Sequence, residues 1–215
     1  AVVRSHPVRV AQLFVVTVAY IALLPAAESW PRLLQVSEVA MIAAAVVVCG
    51  TGRRQALIAV AVGLPAAVLA WVGPLGGLDV ARGAGFGLKS VLLIYVLVLM
   101  LTRVFRTRIV TLETVGLAIC SYLMTAVVWS TAYVAVELVQ PGSFSCFAEG
   151  VHPAGWEGEL VYFSFITMAS VGYGDITPVA PVARSLAMLQ AVTGTMFLAV
   201  VIAGLLNRTT GRLGI

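Results

Sequence analysis

Apolar residues in this chain gather into long runs separated by short polar and basic flanks. Four runs cover residues 10–27, 33–50, 55–72 and 85–102; a longer one extends over 109–139 and another over 182–206. Each approaches or exceeds the roughly 20 residues that a helix needs to cross a bilayer core. The pattern predicts an all-α membrane protein with six transmembrane helices. Pro65 predicts a kink in the third span. Gly73-Pro74-Leu75-Gly76-Gly77 and Gly83-Ala84-Gly85 predict a flexible loop before the fourth. Arg4, His6 and Arg9 ahead of the first run, with Pro25-Ala26-Ala27 at its end, imitate a secretory signal peptide, but the run is read as a retained helix and His6 as solvated. Pro141-Gly142 closes the fifth run. A polar loop to about Glu159 follows, and then a short helix over 160–169.

Composition excludes a soluble domain. Hydrophobic residues make up 61% of the 215 and charged residues 10%, with a mean hydropathy of +1.05, too apolar for a surface facing water. The net charge of +4 does not point to nucleic acid, because the basic residues sit in the flanks. With both ends inside, Arg4, Arg9, Arg53, Arg54, Arg103, Arg106, Arg108, Arg208 and Arg212 face the cytoplasm. Glu28, Asp79, Glu149, Glu157, Glu159 and Asp175 then face outward, as the positive-inside rule requires. Cys49 and Cys120 lie within spans and read as buried thiols. Cys146, in the outer loop, is either free or paired with a symmetry mate.

Between the last two spans stands Thr167-Met168-Ala169-Ser170-Val171-Gly172-Tyr173-Gly174-Asp175. A potassium ion crosses a bilayer only where something replaces its water shell, and rings of backbone carbonyls from four T-V-G-Y-G loops do so. Aiming successive carbonyls at one axis needs backbone angles that glycine adopts at little steric cost, which accounts for Gly172 and Gly174. Val171 and Tyr173 are then free to point outward and brace the loop against surrounding helices. The run resembles the selectivity filter of the tetrameric potassium channel superfamily, T-x-x-T-V-G-Y-G-D. Here Ser170 replaces the last threonine, keeping the oxygen and losing a methyl.

The resemblance covers residues 111–206 and is tightest over 162–203. It implies a pore domain over 109–215, built as in the bacterial two-helix pore family from outer helix, turret, pore helix, filter and inner helix. A four-helix N-terminal transmembrane domain over 1–108 precedes it. One filter per chain implies a homotetramer in a lipid bilayer, and with the alanine-, valine- and arginine-rich composition implies a bacterial plasma membrane. K+, the permeant ion, would be coordinated through Ser170, Val171, Gly172 and Tyr173, with Gly174 completing the filter. No organic cofactor and no catalytic residue are implied. Tyr162 and Phe163 stand where many channels carry a tryptophan pair that forms an aromatic cuff. Thr167 offers its hydroxyl to nearby backbone, and Asp175 braces the filter from behind and lends negative potential at its mouth. The pore helix turns the negative end of its dipole towards the ion path. Glu137 stands where related channels place a glutamate that accepts hydrogen bonds from backbone near the pore; an interfacial, solvated carboxylate is the other reading. Gly194 occupies the place of a hinge glycine, serving either bending or close helix packing. Gln190 faces either the pore or the protein behind the filter.

Steep voltage gating needs several charges on the fourth helix, since one charge moved through 100 mV yields only about 2.3 kcal/mol. Residues 88–100 carry Lys89 alone, and Arg103 and Arg106 lie past the predicted span. Glu38 in the second span is placed to pair with Lys89 and fix the register of the bundle. An ion-coupled transporter would show broken helices and internal repeats, usually with several filter-like loops; one such loop is present. A membrane enzyme would gather ionisable residues inside the spans, whereas Glu38, Lys89, Glu113 and Glu137 are scattered near their ends. Tyr173 argues against a non-selective cation pore. The gating stimulus is left open among the filter, bending near Gly194, lipid or tension, and a regulatory partner subunit.

Overall fold

A computed structural model of the chain describes residues 7–24, 31–49, 53–72, 79–107, 110–147 and 156–210. These form seven α-helices and no strand: α1 (Pro7–Ala22), α2 (Pro31–Val48), α3 (Arg53–Val72), α4 (Asp79–Arg106), α5 (Leu112–Val139), α6 (Glu157–Met168) and α7 (Pro181–Thr210). Among the described residues, three helices are long and apolar enough to cross a membrane, over Gly85–Arg106, Leu112–Val139 and Pro181–Gly204. Val8–Ala22 and Val36–Val48 are shorter apolar helices. Three of the six expected spans therefore meet the length criterion in the described residues. Arg4, His6, residues 25–30 with Glu28, the loop at 73–78, Arg108, the turret at 148–155 with Glu149, and Arg212 lie outside the described residues.

The largest departure from the sequence pattern is α4. Gly83-Ala84-Gly85, expected as loop, is helical, and the helix continues past the apolar run through Arg103 and Arg106. Each interior glycine weakens a helix by about 1 kcal/mol. Here that cost is met by packing, for Gly85 is buried and Phe86 packs against the aromatic cluster described below. The two arginines occupy the last turn, where cations complement the negative helix end. Arg103 also donates from Nη1 to the carbonyl of Val48 at 2.7 Å, capping the end of α2.

Helix α5 opens at a reciprocal cap. Thr114 N donates to Thr111 Oγ1 at 3.3 Å, and Thr111 N donates to Thr114 Oγ1 at 3.4 Å. Pro181 starts α7, where its missing N–H costs nothing. Glu157 and Glu159 stand in the first turn of α6, which favours anions.

Helix α5 is the shared wall of the molecule. It packs against α1 and α4 and also against α6 and α7. Its buried residues lie all round the helix, from Thr114 to Glu137, as expected of an element that is apolar on every side. At Gly116 a Cβ would lie 2.9 Å from Val10 Cγ1, so α1 rests directly on α5. One core joins α1, α2 and α4 to α5, through Leu13, Met41, Leu93 and Met100. A second gathers Tyr133, Phe144, Trp156, Leu160 and Phe163 between the C-terminal part of α5 and α6.

Within the first core the expected ion pair forms. Lys89 Nζ donates to Glu38 Oε2 at 2.9 Å, joining α4 to α2, while Glu38 Oε1 is buried without a hydrogen-bond partner. Removing one partner of a shielded pair strands the other. Glu38→Gln is therefore expected to cost about 2 kcal/mol of stability, read as a lower thermal midpoint. The double variant Glu38→Gln/Lys89→Met should recover most of that loss.

Candidate functional site

The site begins at the C-terminal end of α6. A helix leaves its last carbonyls without helical partners, and here the chain turns back to use them. Ala169 N donates to Phe165 O at 3.0 Å, Ser170 N to Thr167 O at 3.1 Å, and Val171 N to Ile166 O at 3.0 Å. The last two bonds, with Ser170 at φ 56°, make a Schellman closure whose left-handed position is held by a serine. Thr167 thus contributes its carbonyl to this closure. Beyond it the backbone alternates: φ is positive at Ser170, Gly172 (57°) and Gly174 (82°), and at neither Val171 nor Tyr173. Alternating left- and right-handed residues turn successive N–H groups to one side, and a trans peptide then sends the carbonyls to the other. A one-sided row of carbonyls is what replacement of a cation's water shell requires.

Residues 170–175 are exposed along the chain. Val171 is 49% and Tyr173 72% exposed, so within one chain neither braces the loop against a helix as expected. Asp175 does hold the loop from behind. Tyr162 Oη donates to Asp175 Oδ2 at 2.7 Å, and Ile176 N donates to Oδ1 at 3.0 Å. The hydrogen bond from Tyr162 lowers the pKa of the Asp175 carboxyl, and the same bond pushes the Tyr162 hydroxyl up to about 12.

The other support residues tie the loop to α5. Glu137, fully buried near the end of α5, accepts from Gly142 N at 2.7 Å and Ser143 N at 3.0 Å, as the buried reading of this carboxylate required. The carbonyl of Ser143 in turn accepts from Val179 N at 2.8 Å. Ser145 N donates to Thr177 O at 2.9 Å, and Thr177 N donates to Ser145 Oγ at 2.9 Å. The segment after the loop is thereby paired with the segment after α5. Phe163 packs edge-on against Tyr133 and Phe144, with ring centroids 5.1 and 5.4 Å apart. Cys146, beside this pairing, is exposed and free within the chain.

Gly194 lies against the last turn of α6, where a Cβ would meet the Met168 carbonyl oxygen at 2.4 Å. Of the two roles open to Gly194, close packing is the one this contact supplies. The same carbonyl accepts from Tyr122 Oη at 3.1 Å. Gln190 is wholly buried behind α6 rather than facing an open path. Its amide bonds with Tyr133 and Ser164. Sequence reasoning passed over Tyr122, Tyr133, Phe144 and Ser164. For Tyr122, Tyr133 and Ser164 the available signal was a hydroxyl group inside an otherwise apolar run, where polar side chains are costly without partners; Phe144 carried no such signal.

Residues 121–210 match the family model described as Ion channel. Over 83 residues, 37% of the chain, the sequence is 35% identical to the inward rectifier potassium channel Kirbac3.1 of Paramagnetospirillum magnetotacticum, covering 24% of that protein. Over 67 residues, 31% of the chain, it is 31% identical to two pore potassium channel c of Oryza sativa subsp. japonica, covering 14% of that protein. The chain thus spans a quarter or less of the length of these curated relatives. No solved structure matches it significantly. The matched stretch holds most of α5, all of α6, the exposed loop and α7. Through these residues the chain is similar to ion channels, and both of these relatives are named as potassium channels.

Two outcomes follow from this geometry. Gly194→Ala forces its methyl group into a backbone carbonyl, so it is expected to cost about 1–3 kcal/mol and to lower ion flux in reconstituted vesicles. Ionised Asp175 contributes its stability above the ordinary aspartate pKa and loses it as pH falls through the depressed folded value. Tyr162→Phe removes the main cause of that depression, so the variant should have a lower thermal midpoint above the ordinary aspartate pKa and lose less of it on acidification than the wild type.

Proposed function

We propose that the protein is a potassium-selective channel that conducts K+ passively through a homotetrameric pore. The observation that carries this reading is the alternation of positive φ at Ser170, Gly172 and Gly174 within Ser-Val-Gly-Tyr-Gly. The carbonyls of Ser170, Val171, Gly172, Tyr173 and Gly174 from four chains would replace the hydration shell of the ion, and ions in adjacent sites would advance by mutual repulsion. The exposure of Val171 and Tyr173 supports assembly, since neighbouring chains supply what one chain lacks. So does the apolar surface of α7, where Leu189, Val192 and Met196 are each more than half exposed.

In this reading residues 109–215 form the pore domain, with α6 and the filter re-entrant between α5 and α7. Residues 1–108 form a four-helix domain, giving six spans with both ends in the cytoplasm of a bacterium. The filter's mouth, Asp175 and Cys146 then face outward. Gating is not steeply voltage-dependent, because Lys89 is held by Glu38, Arg103 is bonded to the Val48 carbonyl, and Arg103 and Arg106 sit in the last turn of α4, which leaves little charge to do work in the membrane field.

The test is K+ flux from proteoliposomes with Na+ as competitor. Flux that strongly favours K+ and is abolished by Gly172→Asp is the expected result. Equal passage of Na+ by the wild type would refute selectivity.

A further inference from the structure

Three helices meet behind the proposed filter at two levels, one helical turn apart. At the level nearer the filter, the Met168 carbonyl of α6 accepts from Tyr122 of α5 and lies against Gly194 of α7. One turn back along α6, Ser164 Oγ donates to the Ala126 carbonyl of α5 at 2.6 Å. Gln190 of α7 donates from Nε2 to Ser164 O at 3.0 Å and to Ser164 Oγ at 2.6 Å, and its Oε1 accepts from Tyr133 Oη of α5. The spacing is four residues between Tyr122 and Ala126, between Ser164 and Met168, and between Gln190 and Gly194, while Tyr133, seven residues beyond Ala126 on α5, joins the second level through its hydroxyl. Residues four apart share one helix face, so both levels hold α6 by the same side.

The second level is wholly buried, with Ser164 and Gln190 at 0% exposure and Tyr133 at 0%. Both amide protons of Gln190 are donated and its oxygen is occupied, so the network is satisfied throughout. A satisfied polar network in an apolar interior admits one arrangement, because sliding any helix strands a donor or acceptor. Apolar contacts alone tolerate such a slide.

We infer that Gln190 is a positioning residue for ion selectivity: by fixing α6 along its axis through Ser164 and Tyr133, it holds the carbonyls of residues 170–174 at the spacing that favours K+ over Na+. This rests on the filter reading above. Ser164 precedes the Schellman closure by six residues, and the closure bonds run from the last turn of α6 straight into the loop. Displacement of the helix is therefore passed directly to the loop.

The test uses the full chain in proteoliposomes and reads the ratio of K+ to Na+ flux for the wild type, Gln190→Met and Glu38→Gln. Methionine keeps the length of the side chain and removes its hydrogen bonds. Gln190→Met is expected to assemble, to conduct, and to lose about tenfold of the K+ preference. Glu38→Gln, whose ion pair is with Lys89 and not with the Gln190 network, is expected to lose stability and keep the wild-type ratio. An unchanged ratio in Gln190→Met, beside a discriminating wild type, overturns the inference and leaves the filter reading standing. An equal loss in Glu38→Gln also overturns it, because selectivity would then merely follow stability. A wild type without preference refutes the filter reading and this inference with it. Should Gln190→Met fail to assemble, Tyr133→Phe, which removes one hydroxyl and keeps the ring contacts, is read by the same criteria.

Discussion

The carbonyls at the end of α6 need partners, and the way they find them sets everything downstream. Phe165, Ile166 and Thr167 take the N–H groups of Ala169, Val171 and Ser170, which forces Ser170 into a left-handed conformation. Glycines at 172 and 174 continue the alternation. Had the helix ended on side-chain caps, the loop would leave in another direction and its carbonyls would not be aligned. The exposed loop is an extension of the helix end, ordered by the same few hydrogen bonds.

That helix end must itself be held, and α5 provides most of the holding. Its C-terminal end secures the return of the chain through Glu137, and it meets α6 through Tyr122 and Ala126 and α7 through Tyr133. It also carries α1 and α4. A polar group left unpaired in such an interior costs about 1–3 kcal/mol, so each satisfied hydroxyl or amide restricts where the helices can sit. Dispersion between leucines and valines supplies cohesion; the polar contacts supply register.

The long apolar runs made the helices legible, because the number of residues needed to cross a bilayer leaves few alternatives. The filter stretch was legible for a different reason: Gly172 and Gly174 answer a backbone demand that is local to the loop. The pairing of Glu38 with Lys89 was readable because two opposite charges in apolar runs have few other solutions. What escaped was decided between helices. Gln190 could be seen as polar, but the hydroxyls waiting for it on α5 and α6 have no periodic signature. The start of α4 was misread because glycine content says nothing about the packing that outweighs it at Gly85 and Phe86. For Gly194 the pattern offered two roles, and only its distance to the Met168 carbonyl distinguishes them.

The network at Gln190 has a consequence for how the molecule is made. In chain order α5 and α6 come before α7, so on a growing chain Tyr133 and Ser164 emerge while their shared partner is still unmade. During that interval their polar groups must borrow water, lipid headgroups or the insertion machinery. Entry of α7 then carries an amide into the apolar layer, and its desolvation is offset only when it docks against both earlier helices. Docking of α7 and satisfaction of the polar groups on all three helices are thus a single event.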